Sequence, residues 1–172
     1  MNLGDALACE ALRAAGDKAP ALFDQAIQAY DRALEVRTKA ALPADWADAQ
    51  MNIMEVNFLA ARYSACMQRV AILTDDSLSA PQAVVRDTIE LACHWGAGDK
   101  SAARQTEKVL LAKSATPQAA VWDLSDALPI LSASPNFANG RASWIALFTA
   151  VQNGDGAGIS AALHQLEPVL QQ

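Results

Sequence analysis

The sequence predicts an all-α protein made of antiparallel helical hairpins, and two observations carry that prediction. Alanine supplies 38 of the 172 residues, whereas valine, isoleucine and threonine together supply 22, so the composition favours helices over strands. Apolar residues recur three and four positions apart in one segment after another, and Gly, Pro, Asp or Ser separate the segments. The length is that of one ordinary domain, so we predict a single helical domain over residues 1–172.

The pattern predicts about eight helices joined by short loops, which favour antiparallel neighbours. The third is long for a globular protein, which leaves a kink within it as an alternative. We expect Asp45 to cap the third helix and Asp99 to cap the fifth. The first three predicted helices are 2–15, which ends at Gly16 and Asp17, then 20–39 and 46–73. The fourth follows Pro81 and ends at Gly96, and the fifth follows Asp99 and reaches Lys113. The sixth follows Thr116 and Pro117 and presents Val121, Leu124, Leu128 and Leu131, and the last two are 140–152 and 157–170.

Charge and hydropathy exclude several classes of function. Thirteen Lys and Arg face nineteen Asp and Glu, for a net charge of −6, and no basic run could neutralise a series of phosphates, so we expect no nucleic-acid partner. No uncharged stretch approaches the roughly 20 apolar residues that span a bilayer, so we expect no membrane partner. Asp5 and Glu10 interrupt the start of the chain where a secretory signal would be apolar. We therefore predict a cytoplasmic protein.

The residues with catalytic chemistry are few and poorly placed for it. Cys9, Cys66 and Cys93 are odd in number and widely spaced, which is typical of reduced thiols that pack in the core of a cytoplasmic protein. The two histidines are His94 and His164, and a nucleophilic dyad would need distant pairing, such as Cys66 with His94. The sequence contains no metal-ligand spacing and no phosphate-binding glycine motif. We predict no catalytic residue, no metal and no cofactor.

The first third of the chain resembles a known repeat family. Its first helix has a small residue where a second helix could approach closely, and its second helix carries small, aromatic and small residues along one ridge. These residues, and those of the next segment, are Asn2, Leu3, Gly4, Asp5, Ala6 and Leu7; Ala26, Tyr30 and Ala33; the run from Ala33 to Thr38; and Pro43, Trp46, Ala47, Gln50 and Asn52. The stretch resembles tetratricopeptide repeats (TPRs), in the longer-period variety of kinesin light chains.

The resemblance is clear over residues 2–60 and implies a short α-solenoid of stacked hairpins, with 61–172 as degenerate hairpins. Asn52 and Ile53 repeat Asn2 and Leu3, but Met54 stands where the family has a glycine, so the second repeat departs from the pattern at its closest contact. A weaker echo lies near the C-terminus, at Trp144, Leu147, Phe148 and Val151 and then at Ala162, Leu166 and Val169.

In that family the first helix of each hairpin lines a groove, and an asparagine there holds a peptide backbone. The resemblance therefore implies a non-catalytic scaffold that binds a peptide or a partner protein. Three acids and one base line the predicted groove, which favours a basic peptide; the alternative is that these residues are solvated or cap helices. The predicted binding residues are Asn2, Asp5, Asp48, Asn52, Glu55, Phe58 and Arg62.

The C-terminal quarter of the chain is unusually poor in charge. From residue 128 to 172 the charged side chains are Arg141, Asp155 and Glu167. Large apolar side chains of the same stretch include Trp144, Ile145, Leu147, Phe148, Val151 and Leu163. Either these helices are buried against the rest of the chain, or they form a surface for a homodimer. The second reading makes the protein a homo-oligomerising module of a larger effector system.

Overall fold

The computed structural model describes residues 2–14, 18–115 and 122–171, and within these ranges the chain is helical with no strand. The predicted all-α class is therefore confirmed for the part of the chain that the structure describes. Two compact units can be distinguished, Met1–Leu78 and Ser79–Gln172, and each is described by itself. The predicted solenoid arrangement and the single domain stay predictions.

Four α-helices lie in the part of the first unit that the structure describes: α1 (Leu3–Arg13), α2 (Lys18–Leu34), α3 (Pro43–Leu59) and α4 (Tyr63–Val70). α2 packs against α1 on one side and α3 on another, and α4 folds back on α3. Two ion pairs connect α2 to the residues that follow α3: Arg62 Nη1 lies 2.5 Å from Asp24 Oδ1, and Arg69 Nη2 lies 3.2 Å from Asp31 Oδ1. The 3-10 turn Asp75–Ser77 closes the unit.

The predicted third helix over 46–73 is wrong as one element, because the chain breaks it between Leu59 and Tyr63. Ala61 lies in the left-handed region with φ 56°, a conformation that a helix cannot contain. The helix also begins at Pro43, with Leu42 as an N-cap that makes no side-chain hydrogen bond, so Asp45 lies in the first turn and is not the cap. Proline suits this place because its missing N–H has no acceptor in a first turn.

The described residues of the second unit form five α-helices, each begun or ended by the residue types that the sequence predicted. Ser79 forms a capping box with Gln82, Asp99 accepts from the Ala102 N–H at 3.0 Å, and Asp155 accepts from the Gly158 N–H at 2.9 Å. The helices are α5 (Ala80–Gly96), α6 (Lys100–Ser114), α7 (Ala127–Ala133), α8 (Arg141–Gln152) and α9 (Gly156–Leu170), with the 3-10 turn Pro135–Phe137 before α8.

In this unit α5 packs against α6 and α8, and α9 packs against α8 and α6. Asp87 of α5 is buried, and its charge is met by Arg86 and by Lys113 of α6, whose Nζ lies 2.7 Å from Asp87 Oδ2. Part of the predicted sixth helix, with Thr116, Pro117 and Val121, lies outside the described residues, as do Gly16 and Asp17. Leu124 precedes α7, and the helix that holds Leu128 and Leu131 begins at Ala127.

The apolar C-terminal stretch is covered within the chain itself. Trp144, Leu147, Phe148 and Leu163 are fully buried, Val151 is buried, and Ile145 is half-buried. Of the two alternatives for this stretch, burial accounts for its low charge without a second subunit. Homodimerisation through these residues stays a prediction, but the need to cover exposed apolar side chains no longer supports it.

The three cysteines do not share one state, so the prediction of three reduced thiols is wrong. Cys9 is free, whereas Cys66 in the first unit and Cys93 in the second are both buried and disulfide-bonded. Disulfides persist in oxidising compartments. Reduced cysteines therefore no longer support the cytoplasmic location, which stays a prediction. Within the described ranges, each helix is too short or too polar to cross a bilayer.

Replacing Ala61 by glycine should stabilise the protein. Glycine removes a left-handed strain of about 1–2 kcal/mol and costs about 0.5–1 kcal/mol of chain entropy, so the free energy of unfolding should rise by about 0.5–1 kcal/mol. Urea denaturation followed by circular dichroism measures this. Ala60→Gly is the matched control: Ala60 has φ −80°, so only the entropic cost applies and its stability should fall. A loss of stability in both variants would contradict the strain at Ala61.

Glu107 should make the stability of the protein fall as pH rises. This carboxyl, 8% exposed, has its pKa raised by burial and then by the negative charge of Glu167. The folded state then binds more protons than the unfolded state above the ordinary carboxyl pKa, so the free energy of unfolding decreases from about pH 4 upward until the folded carboxyl ionises. Glu107→Gln should flatten that decrease and raise stability at pH 7, in urea denaturation from pH 4 to 8. Exposed Glu10→Gln is the control, and equal profiles for wild type and Glu107→Gln would contradict the prediction.

Candidate peptide-binding surface

Beyond its accessible first turn, α3 is buried except for a single polar stripe. Between residues 47 and 59, Asp48, Asn52 and Glu55 are half-buried and every other residue is buried. Spacings of four and three place these side chains on one face of the helix, one per turn. The sequence predicted all three as binding residues. They are the part of this helix core that a partner could touch.

Asn52 lies in the middle of this stripe with its amide uncommitted. Its side chain makes no hydrogen bond with any other residue that the structure describes. A primary amide can donate to a peptide carbonyl and accept from a peptide N–H at the same time. Asn52 therefore has the chemistry that holding an extended backbone requires, independent of the sequence of that backbone.

Asp5 of α1 joins the acidic residues of α3 through Tyr30 of α2. The Tyr30 hydroxyl donates to Asp5 Oδ1 at 2.5 Å. Burial raises the pKa of Tyr30, and the hydrogen bond to Asp5 and the charges of Asp5, Glu55 and Cys9 raise it further. The charges of Asp5 and Glu55, from two different helices, thus act on one hydroxyl. The hydroxyl stays protonated and remains a donor. We call Asp5, Asp48, Asn52 and Glu55 the acidic stripe.

The position of Asp5 depends on the glycine beside it. A Cβ atom added at Gly4 would lie 2.4 Å from Tyr30 Cζ, which is far inside van der Waals contact. The close approach that the sequence predicted at Gly4 is therefore confirmed, and the aromatic ring of Tyr30 is what fills the space. The N-terminus of α1 crosses the C-terminal half of α2 at this point.

Three of the seven predicted binding residues have other roles. Phe58 is 0% exposed, so it is a core residue with no surface for a ligand. Arg62 lies at the break between α3 and α4, where its guanidinium donates to Asp24 Oδ1 at 2.5 Å and to the Pro20 carbonyl at 3.3 Å. Asn2 caps α1: its Oδ1 accepts from the Asp5 N–H at 3.1 Å, and its own N–H donates to Asp5 Oδ2 at 2.8 Å. The helix-cap alternative holds for Asn2.

The residue that sequence reasoning missed is Tyr30. The ridge of Ala26, Tyr30 and Ala33 predicted a packing role, but nothing in the spacing of 25 residues between Tyr30 and Asp5 indicated their hydrogen bond. Among the described residues, His, Cys, Asp and Glu nowhere form a group of three or more that could hold a metal ion.

Comparison with known proteins identifies no relative with a similar surface. No protein family, no curated protein and no solved structure matches the chain.

Gly4→Ala should destabilise the first unit by about 2 kcal/mol, because the new methyl group overlaps the Tyr30 ring and overpacking of this kind costs about 1–3 kcal/mol. Chemical denaturation measures the loss. The same change in a Tyr30→Leu background should cost at least about 1 kcal/mol less, since the ring that it strikes has gone. If Gly4→Ala costs the same in both backgrounds, the contact between Gly4 and Tyr30 does not set the approach of α1 to α2.

Proposed function

We propose that this protein is a non-catalytic interaction module of TPR-like hairpins that binds an extended basic peptide along the acidic stripe. The observation that carries the proposal is the pattern of burial on α3, where Asp48, Asn52 and Glu55 are the accessible side chains between residues 47 and 59. A helix buried on all other sides is rigid, so these groups are presented in a fixed register. Preorganised groups lose less entropy on binding.

The dimensions of the stripe suit a short stretch of extended chain. Asp48 and Glu55 are seven residues apart, which corresponds to about 10 Å along a helix axis. An extended peptide covers that distance with about three residues. Asn52 would then hold the backbone while the flanking carboxylates meet Lys or Arg side chains. Exposed ion pairs contribute only about 0.2–1 kcal/mol each, so we expect weak, salt-sensitive binding that a longer contact would strengthen.

The arrangement of the first unit supports the TPR-like part of the proposal. α1 and α2 form one hairpin with the close contact of Gly4 and Tyr30, and α3 and α4 form the next. The ion pair of Arg69 with Asp31 connects α4 to α2, the second helices of the two hairpins. Met54, in the place of the family's glycine, is fully buried, so this site is filled by a side chain instead of a close helix contact.

A thiol enzyme has less support than an interaction module. The nucleophile considered from the sequence was Cys66, and its sulfur is disulfide-bonded. A cysteine in a disulfide has no thiolate to attack a substrate. This observation removes the specific dyad that the sequence suggested, Cys66 with His94.

Binding should be measured with a labelled ten-residue peptide that alternates Lys with Ala, and with the same peptide carrying Glu for Lys. In fluorescence anisotropy at low salt, the Lys peptide should bind more tightly than the Glu peptide by at least about tenfold. Asn52→Ala with Glu55→Lys should weaken the Lys peptide by about tenfold, because the variant loses the amide and reverses one charge. Raising the salt concentration should weaken it as well.

The matched control is Gln68→Ala with Glu35→Lys, which removes one amide and reverses one acid at exposed positions of the same unit. We expect this control to bind the Lys peptide within about twofold of wild type, after a small general charge effect. Circular dichroism establishes that both variants are folded. Wild-type affinity in the Asn52 and Glu55 double variant, or equal losses in the two double variants, would remove the acidic stripe as the binding surface.

A further inference from the structure

A second surface lies between the start of α1 and the C-terminal half of α2. Asp31 of α2 pairs with Arg69 on the α3 and α4 side. At 100° per residue, Ala29 and Ala33 are each about 200° around the helix axis from Asp31. On α1, Leu3 is likewise about 200° from Asp5, whose carboxylate meets Tyr30. Leu3, Ala29 and Ala33 therefore point away from Asp31 and Asp5, but the groove they border is also lined by Tyr30 and Asn2, which hydrogen-bond to Asp5 of the acidic stripe.

These residues border a groove. It has a volume of about 350 Å³, and Leu3, Ala29, Ala33, Arg32 and Arg37 are among the residues that line it; we call it the edge groove. Ala29 and Ala33, four residues apart, have short side chains, so the surface of α2 is recessed beside Leu3. A groove between two antiparallel helices, floored by small side chains, accepts a ridge of side chains from a third helix.

Of the two most exposed large apolar side chains in the described residues, one lines this groove and the other is the sequence neighbour of a lining residue. Leu3 is 63% exposed and lines it, and Val36, 74% exposed, directly precedes the lining residue Arg37. Each of the other exposed large apolar side chains, Leu42, Ile72 and Val109, is 45% exposed or less. Apolar exposure concentrated at one groove is typical of a contact surface.

The charge at the edge groove is opposite to that of the whole chain. Within the described ranges, neither Arg32 nor Arg37 forms an ion pair with a carboxylate, and Arg32 Nε donates only to the Gln28 carbonyl at 3.3 Å. Two uncompensated guanidinium groups next to an apolar groove, in a chain of net charge −6, select for a ligand with carboxylates. Guanidinium binds carboxylate with two parallel hydrogen bonds.

We propose that the edge groove binds an acidic amphipathic helix of a partner protein. The apolar side chains of that helix pack between Leu3 and Ala33, and its Asp or Glu side chains pair with Arg32 and Arg37. Helix-in-groove recognition combines these two features. This inference does not depend on the proposed function, because it uses Leu3, Arg32 and Arg37, which are not part of the acidic stripe, and a ligand of the opposite charge.

The test uses two synthetic 18-residue helical peptides and the full chain. Both peptides carry Leu at helical spacing; one has Glu at its flanking positions and the other has Gln at the same places. In fluorescence anisotropy the Glu peptide should bind at least about tenfold more tightly than the Gln peptide. Hydrogen exchange should show that the Glu peptide protects amides of α1 and α2.

Arg32→Glu with Arg37→Glu should abolish the preference for the Glu peptide, and Arg32→Gln with Arg37→Gln, which adds no repulsion, should reduce it to within about threefold. The matched control is Arg13→Glu with Arg141→Glu, which changes the net charge equally at two exposed positions outside the groove. The control should keep most of the preference. Circular dichroism confirms that all variants are folded.

Several outcomes would overturn the proposal. These are equal affinity for the two peptides, an equal loss of preference in the groove variant and in the control, and protection outside α1 and α2. The proposal would also be overturned if sedimentation showed a dimer of this chain that Leu3→Ser dissociates, because a second copy would then occupy the groove.

Discussion

The contact of the Tyr30 ring with the backbone at Gly4 is the constraint on which both proposed surfaces depend. Because Gly4 has no Cβ, α1 lies close enough to α2 for the Tyr30 hydroxyl to reach Asp5. That distance fixes the rotation of α1 as well as its position. Asp5 then faces the α3 side and Leu3, about 200° away on the same helix, faces the edge groove. A larger residue at position 4 would move both faces together.

The burial of α3 complements this constraint. A helix with ten buried residues has little freedom to rotate or shift, because interiors are close-packed. Its three half-buried polar residues therefore have defined positions relative to Asp5. The acidic stripe thus combines a residue fixed by a hydrogen bond with residues fixed by packing. Both α1 and α3 are needed for Asp5 and Glu55 to act on the Tyr30 hydroxyl.

Periodicity predicted most of the helices, because apolar spacing and a cap such as Asp99 are local signals. It missed the break at Ala61, where good helix formers continue on both sides and only tertiary packing imposes a left-handed residue. The acids on α3 were predictable because they share a face. Phe58 was not, since it is 60° around the helix from Glu55, enough to turn it into the core. The bond between Tyr30 and Asp5 joins distant segments, and no local pattern encodes it.

The opposite charges of the two surfaces bear on which partner each one selects. The stripe and the edge groove share α1, where Asp5 and Leu3 point about 200° apart, and they meet at Tyr30, which lines the groove and donates to Asp5. A basic ligand is repelled by Arg32 and Arg37 and attracted by Asp5 and Glu55, whereas an acidic ligand meets the reverse. Like-charge contacts weaken the wrong pairing as strongly as complementary contacts favour the right one. The physical consequence is that each surface discriminates against the partner of the other.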